Sequence, residues 1–493
     1  MTSPDTSKNP PAVLVWFRDD LRVADHPALD SAARKGLPVA ALFVLDEESP
    51  GLRPLGGAAR WWLAGSLRAL GEGLAQRGVT LVLRRGGAAT VVPEVAAAAG
   101  ATTVAWNRRY EPAAATIDRT VEAALARQGV AVETFQASLL AEPEALRTKS
   151  GKPFAVFTPF LRAVLAGPSP RAPLPAPGPM QGVEGLASDA LDDWALEPQR
   201  PDWAGGLRET WTRGEAAAQA RLSEFVEDGL AGYADKRDRP DLPHTSRLSP
   251  RLRFGELSPF QVFSAAALAR EAPPGRRPSD TDVDKFVAEL VWREFSWHLL
   301  AAHPDIATAN IQEKFDAFPW RDDPAALSAW QRGETGYPIV DAGMRELWTT
   351  GWMHNRVRMV AASFLVKHLL TDWRAGERWF QDTLVDADAA SNPASWQWVA
   401  GSGADAAPYF RIFNPVLQGR KFDPAGDYVR QFVPALRSLP APAVHAPFAA
   451  RPLDLAAAGV TLGKTYPAPV VDLEAGRERA LDALARSRRP HQK

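Results

Sequence analysis

Between Gly351 and Pro415 the chain reads G-W-M-H-N-R-V-R-M (351–359), D-A-D-A-A-S-N-P-A-S-W-Q-W (386–398) and D-A-A-P-Y-F-R-I-F-N-P (405–415). Tryptophans, arginines, carboxylates and asparagines crowd there more densely than an ordinary pair of structural helices requires. A helix turns by about 100° per residue, so Asn355, Arg356 and Met359 share one face while Arg358 points elsewhere. Trp396 and Trp398, two apart, point to nearly opposite sides of any helix that carries them. One face of such an element can meet a substrate and the other a cofactor. A single Trp is better read as core filling, but the cluster as a whole reads as a site.

Outward from this stretch the spacing of apolar residues is helical. Ala216–Asp228, Pro259–Ala269, Val283–Ala302, Ile339–Thr349, Met353–Leu370 and Glu377–Leu384 all have helix-length patterns. A mostly α domain is therefore expected over 204–493. Before it, 167–203 opens with a proline-crowded run and shows no sustained period, as in an interdomain linker. Earlier still, Ala12–Phe17, Val39–Leu45, Val79–Leu83, Thr102–Trp106 and Val130–Phe135 are short Val-rich runs. They alternate with Ala-rich segments such as Ala58–Gln76 and Pro112–Gln128, and Phe154–Leu165 reads as one more helix. That rhythm predicts a doubly wound parallel sheet over 11–166. The fold class is thus α/β followed by α. No G-x-G-x-x-G follows the first strand, so the dinucleotide fingerprint of a dehydrogenase is missing.

Composition narrows the chemistry. With no cysteine among 493 residues, disulfides, thiolate-held zinc, iron–sulfur clusters and thiol catalysis are excluded. Histidine is scarce and no pair has metal-ligand spacing, so no metal is expected. The formal charge is −1, so contact with nucleic acid must come from a local basic patch. Met1–Pro11 lacks a basic head with an apolar stretch behind it, and no apolar run is long enough for a bilayer. A cytoplasmic monomer is expected, with no membrane partner.

Taken by themselves, several motifs leave two readings open. Thr245-Ser246-Arg247-Leu248-Ser249-Pro250 suits either a phosphate group or a plain helix cap. Glu289, Trp292 and Arg293 share a helical face, as an internal ion pair beside a core Trp or as part of a pocket. Arg358 with Asp386 and Asp388 is either a buried ion pair or a cofactor contact. His354 reads as structural.

These motifs, with W-F-R-D-D-L-R at 16–22, resemble the photolyase and cryptochrome flavoproteins, most closely the bacterial class I photolyases that split cyclobutane pyrimidine dimers. The resemblance runs from Trp16 almost to the C-terminus and is strongest from Tyr233 to Asp427. It implies FAD in the helical domain, held by Tyr233, Thr245, Ser246, Arg247, Leu248, Ser249, Arg293, Arg358, Asp386 and Asp388, with Asn392 facing flavin N5. The family's N-N-G-G pattern is S-N-P-A-S here, which puts the loop geometry around Asn392 in question. The resemblance further implies that Glu289, Trp292, Asn355, Arg356, Met359 and Trp398 line the lesion pocket, with Glu289, Asn355, Met359 and Asn392 catalytic. Trp320, Trp373 and Trp396 match an electron relay. Arg237, Arg356 and Arg411 are candidates for a basic rim on damaged, mainly double-stranded DNA. The N-terminal domain is expected to hold an antenna, a reduced folate, deazaflavin or second flavin, with Tyr110 and Glu111 at a folate-type position. The six-four photolyases carry histidines where this chain has Asn355 and Met359, which favours the cyclobutane dimer. The expected activity is light-driven dimer repair by an electron from excited reduced FAD. A cryptochrome-type photoreceptor is the alternative, disfavoured by the short tail.

Overall fold

The computed structural model describes residues 10–273, 277–405 and 410–487. Within 12–135 five strands alternate with helices: β1 Ala12–Phe17, α1 Pro27–Arg34, β2 Val39–Leu45, α2 Gly57–Ala75, β3 Leu81–Arg85, α3 Ala88–Ala98, β4 Ala101–Asn107, α4 Pro112–Arg127 and β5 Ala131–Phe135. All pairings are parallel, in the order β3-β2-β1-β4-β5. The central strands β1 and β2 are buried at every position because helices cover both faces, which is why they read as unbroken apolar runs.

Helices make up most of the remainder: α5 Phe157–Ala166, α6 Gly205–Thr210, α7 Glu215–Glu224, α8 Tyr233–Lys236, α9 Ser249–Arg253, α10 Pro259–Ala269, α11 Asp280–Ala302, α12 Pro324–Arg332, α13 Pro338–Thr350, α14 Asn355–Ser363, α15 Trp373–Thr383, α16 Ser391–Ala400, α17 Pro415–Phe422, α18 Asp427–Phe432, α19 Ala441–Val444, α20 Pro452–Ala457 and α21 Leu473–Ser487. Ser258 and Ser279 cap α10 and α11 with reciprocal capping boxes. The run expected as one helix over Met353–Leu370 is α14 followed by a π-helical turn at Phe364–His368.

Two expected boundaries shift. Helix α5 buries Phe157 and Phe160 against Phe295 of α11, so it packs with the helical domain rather than the α/β domain. The proline-rich 167–203 segment is docked on the sheet rather than free. Val39 N–H donates to the Gln181 carbonyl at 2.8 Å, Asp189 N–H to that of Leu83 at 2.7 Å, and Trp194 is buried in the same core as β1. Proline leaves such a strap without period while its remaining N–H groups still bond outward.

The domains are locked together by Glu256, which is fully buried. Its oxygens accept from Trp62 Nε1 (3.1 Å) and Ser66 Oγ (2.7 Å) of α2, from Gly214 N (2.6 Å), and from Arg251 Nη1 (2.7 Å) of α9. Four donors satisfy a carboxylate that burial alone would strongly disfavour. The residues of the site are carried by α9 and by α8, α11, α14 and α16, of which α11 packs on α8 and α16, and α16 on α14.

Candidate active site

The Thr245–Ser249 loop is pinned from behind by Arg221, whose Nε and Nη2 donate to the carbonyls of Ser246 and Thr245, each at 2.9 Å. Arg247 has φ +54°, and Leu248 returns to the right-handed region at φ −89°, ψ −7°. Left-handed followed by right-handed backbone turns successive N–H groups to one side, a nest for phosphate oxygens. The following helix α9 has only five residues, so this nest, rather than a helix dipole, attracts an anion. The Arg247 guanidinium is wedged between Trp211 and Trp352, 4.6 and 4.9 Å from their rings, and its Nε has no partner. Burial lowers its pKa, and among the described residues no carboxylate bonds to it. A half-buried cation without an anion, beside a nest, fits the diphosphate of FAD. Tyr233 is buried edge-on to Phe225 and Phe286, in the same apolar cluster as Leu248 of the loop.

Deeper in, Arg358 forks Asp386 through Nη1 (3.1 Å) and Nη2 (2.8 Å), while its Nε donates to the Met353 carbonyl at 2.7 Å. Asp388 instead accepts from the N–H groups of Ala390 (2.8 Å) and Ser391 and from the Ser391 hydroxyl (3.0 Å), so its carboxylate closes the turn into α16. That turn answers the question raised by S-N-P-A-S: Asn392 and Pro393 lie in the first turn of α16, where a proline is tolerated. Asn392 is buried, and its Nδ2 donates to the carboxylate of Glu377 at 2.8 Å and to its main-chain carbonyl at 3.1 Å.

At the mouth of the site Glu289 accepts from Arg237 at 2.8 Å and Lys285 at 3.1 Å. Asp238 lies 3.5 Å from Arg237 and 2.6 Å from Arg356. Arg237 and Arg356 are therefore not the free rim cations expected; each is neutralised by a carboxylate from elsewhere in the fold. Arg411 is exposed and has no ion pair among the described residues, although its neighbours 406–409 lie outside them. Asn355 is exposed, and Met359, Trp292 and Trp398 are half-buried. Phe157 lies flat on Trp292 at 3.6 Å, and Phe295 meets the same indole edge-on at 5.8 Å. Arg293 donates to the Ser138 carbonyl at 2.9 Å and lies 3.4 Å from Glu294, so its partners join the helical domain to the segment after β5.

Trp373 and Trp396 are buried in one apolar cluster, and half-buried Trp320 packs against its edge. Trp396 sits edge-on to Phe380 at 4.9 Å and Trp330 at 6.1 Å, and Trp373 Nε1 donates to Asn310 Oδ1 at 3.0 Å. Gly376 permits this fit, since a Cβ there would lie 2.2 Å from the Trp396 ring. His354 accepts the Arg356 N–H at 3.1 Å and so caps α14, and burial holds its pKa down at about 4. Buried Glu346 accepts from the Tyr428 hydroxyl (2.6 Å) and His354 N–H (3.1 Å), and burial pushes its pKa up to about 7. Glu346, Glu377 and Asp238 have no motif of their own, and nothing in the local pattern marks them, whereas Trp352 lies inside the G-W-M-H-N-R-V-R-M stretch without being singled out there.

In the α/β domain Tyr110 donates its hydroxyl to Glu142 at 2.9 Å, and burial raises its pKa; burial raises that of Glu111 as well. The crevice between β1 and β4, where strand order reverses, holds Arg18, Asp20, His26 and Asn107 bonded to one another. No helix among the described residues is long and apolar enough to cross a membrane.

Comparison with known proteins bears on this geometry. Residues 13–179 match the family model described as DNA photolyase, and residues 286–486 match the FAD binding domain of DNA photolyase. The deoxyribodipyrimidine photo-lyase of Agrobacterium fabrum is 50% identical over 96% of this chain and 97% of that protein. Cryptochrome-1 of Arabidopsis thaliana is 37% identical over 96% of this chain and 70% of its own length. Among solved structures, a bacterial class III photolyase from Agrobacterium tumefaciens superposes with a TM-score of 0.93 at 49% identity, covering 99% of both chains. Its class III label differs from the class I likeness expected from the motifs. With both family models matched in order and a relative aligned over nearly its whole length, the chain belongs to the photolyase and cryptochrome family of flavoproteins.

Proposed function

We propose that this protein repairs cyclobutane pyrimidine dimers in DNA, mainly duplex DNA, and that it works as a monomer. FAD, when bound, reduced and excited by light, supplies the electron that opens the cyclobutane ring, and the electron returns after cleavage. The chain's own residues do the positioning. The Thr245–Ser249 nest and Arg247 would hold the diphosphate, Arg358 and Asp386 would hold the flavin ring, and Asn392, with its amide nitrogen on Glu377, would offer its amide oxygen to the flavin. Glu289 fixes the Arg237 and Lys285 cations at the lesion pocket, where their positive charge offsets the negative charge that grows on the dimer carbonyls during cleavage. Trp292 and Trp398 stack on extruded bases; the general argument for extrusion is that duplex stacking hides a lesion from any pocket. Arg411 meets a DNA phosphate, and an antenna chromophore sits against the α/β domain.

The observation that carries this reading is the split character of α16: Asn392 and Trp396 are buried on one side, and Trp398 is half-exposed on the other. The test is repair of a duplex bearing one thymine dimer by FAD-loaded, chemically reduced protein in blue light and in darkness. Restoration only in the light is expected. No restoration in either would turn the reading toward a cryptochrome-type photoreceptor.

A further inference from the structure

Arg53 lies between β2 and α2, in the α/β domain, yet both of its terminal nitrogens reach Glu377 of α15, at 2.7 and 2.9 Å. We propose that Arg53 is a positioning residue for Asn392, acting through Glu377, and that it thereby raises the reduction potential of the flavin. The proposal rests on the reading of Asn392 as the residue facing flavin N5.

The Glu377 side chain is 1% exposed, and that of Arg53 is 28% exposed. Oε2 of Glu377 accepts from Arg53, and Oε1 is shared between Arg53 and Asn392 Nδ2. The second hydrogen of that Nδ2 is directed at the Glu377 main-chain carbonyl. Both neighbours of the amide nitrogen are acceptors, so the amide cannot turn over without placing oxygen against oxygen. Its Oδ1 is left free on the opposite side. An amide oxygen at N5 accepts from the N5–H that a reduced flavin carries and an oxidised flavin lacks, so it favours reduction.

Arg53 sets this orientation because the fork keeps the Glu377 carboxylate an acceptor. Without it, a buried carboxylate is left with Asn392 as its remaining donor. That carboxylate is then free to swing away from Nδ2, and one of the two acceptors that fix the amide is lost. The carrier segment is fixed on the same helix: Gly57 N–H donates to Asp382 at 2.9 Å, and a Cβ on Gly56 would lie 2.1 Å from the Gln381 carbonyl oxygen. The α/β domain thus reaches the flavin through one ion pair.

The test is the midpoint potential of bound FAD, measured spectroelectrochemically in the full-length protein. Arg53→Met is expected to weaken the protein's preference for the reduced flavin on the order of tenfold, lowering the potential by about 59 mV for a one-electron couple. Arg53→Lys, which keeps the charge but loses the fork, should fall between Arg53→Met and the parent. The shifts of Arg53→Met and Glu377→Gln should be strongly non-additive when combined. A parent-like potential in Arg53→Met, beside a shifted one in Asn392→Ala, would overturn the role of Arg53 alone. An unshifted Asn392→Ala would overturn the reading of Asn392, and the proposal with it. Should Arg53→Met fail to retain FAD, a parent-like potential in Arg53→Lys rejects the proposal.

Discussion

The two sides of α16 are made from the same ten residues and do opposite things. On one side Trp396 is sealed among Phe380, Trp330 and the glycine of α15, with its indole N–H unpaired, and Asn392 is tied to Glu377 one turn earlier. On the other, Trp398 is half-buried and its neighbour Ser395 is exposed. A sealed, oxidisable indole can hand an electron inward while water is excluded; an open one can receive a flat base. On the roles proposed for Trp396 and Trp398, electron supply to the flavin and presentation of the lesion are separated by the turn of one helix rather than by distance along the chain.

Loosening the common support of this arrangement should have the largest effect. Glu346 accepts the N–H that orients His354, the cap of α14, and burial raises its pKa from 4.5 to about 7. The folded chain therefore holds a proton that the unfolded chain releases, and stability falls as pH rises through that window. The contribution is on the order of 3 kcal/mol. Glu346→Gln should remove the fall in stability that Glu346 contributes between pH 5 and 7, leaving the contributions of Glu294 and Asp423, shifted up, and of His298, His354 and His368, shifted down and opposite in sign. An unchanged slope would remove Glu346 from the account.

On the open side alone, Trp398→Ala should weaken binding of dimer-containing DNA by roughly tenfold or more, the usual worth of a stacked base. Photoreduction of FAD should stay as in the parent, and a loss of both would show that the sides are not independent. Arg411→Ala should lower the slope of log affinity against log salt by about 1, the signature of one phosphate contact. An unchanged slope would place Arg411 off the DNA. Smallest is the effect of Glu289→Ala, expected to lower repair per absorbed photon about twofold or more while changing affinity less, because Glu289 fixes Arg237 and Lys285, whose positive charge matters most when the dimer oxygens gain charge. Equal yields would assign Glu289 to the Arg237 ion pair only.

Much of this was legible in the residues. The strand rhythm of Ala12–Phe135 is that of the parallel sheet; β3 lies two residues later than expected, at Leu81–Arg85 rather than Val79–Leu83, and β4 and β5 differ by one residue at their ends. The separation of Trp396 from Trp398 follows from helical geometry, and α16 bears it out. Partnerships across the fold were not legible. Arg237 and Arg356 look like free cations in sequence, yet Asp238 and Glu289 neutralise them, and Arg356 meets Asp238 across 118 positions. Arg53 and Glu377 are 324 positions apart and no local spacing announces them. The strap over 167–203 shows no period because proline hides it, while its N–H groups dock on β2 and β3.

The measurement that bears most directly on the split of α16 uses one FAD-loaded preparation of Trp396→Phe and reads two quantities. Phenylalanine keeps an aromatic ring against Phe380 and Trp330 but cannot be readily oxidised, and the smaller ring costs on the order of 1 kcal/mol or more. Photoreduction of oxidised FAD should collapse, whereas protein reduced chemically beforehand should repair a thymine dimer in light about as well as the parent. Persistent photoreduction, or joint loss of flavin and repair, would contradict the account.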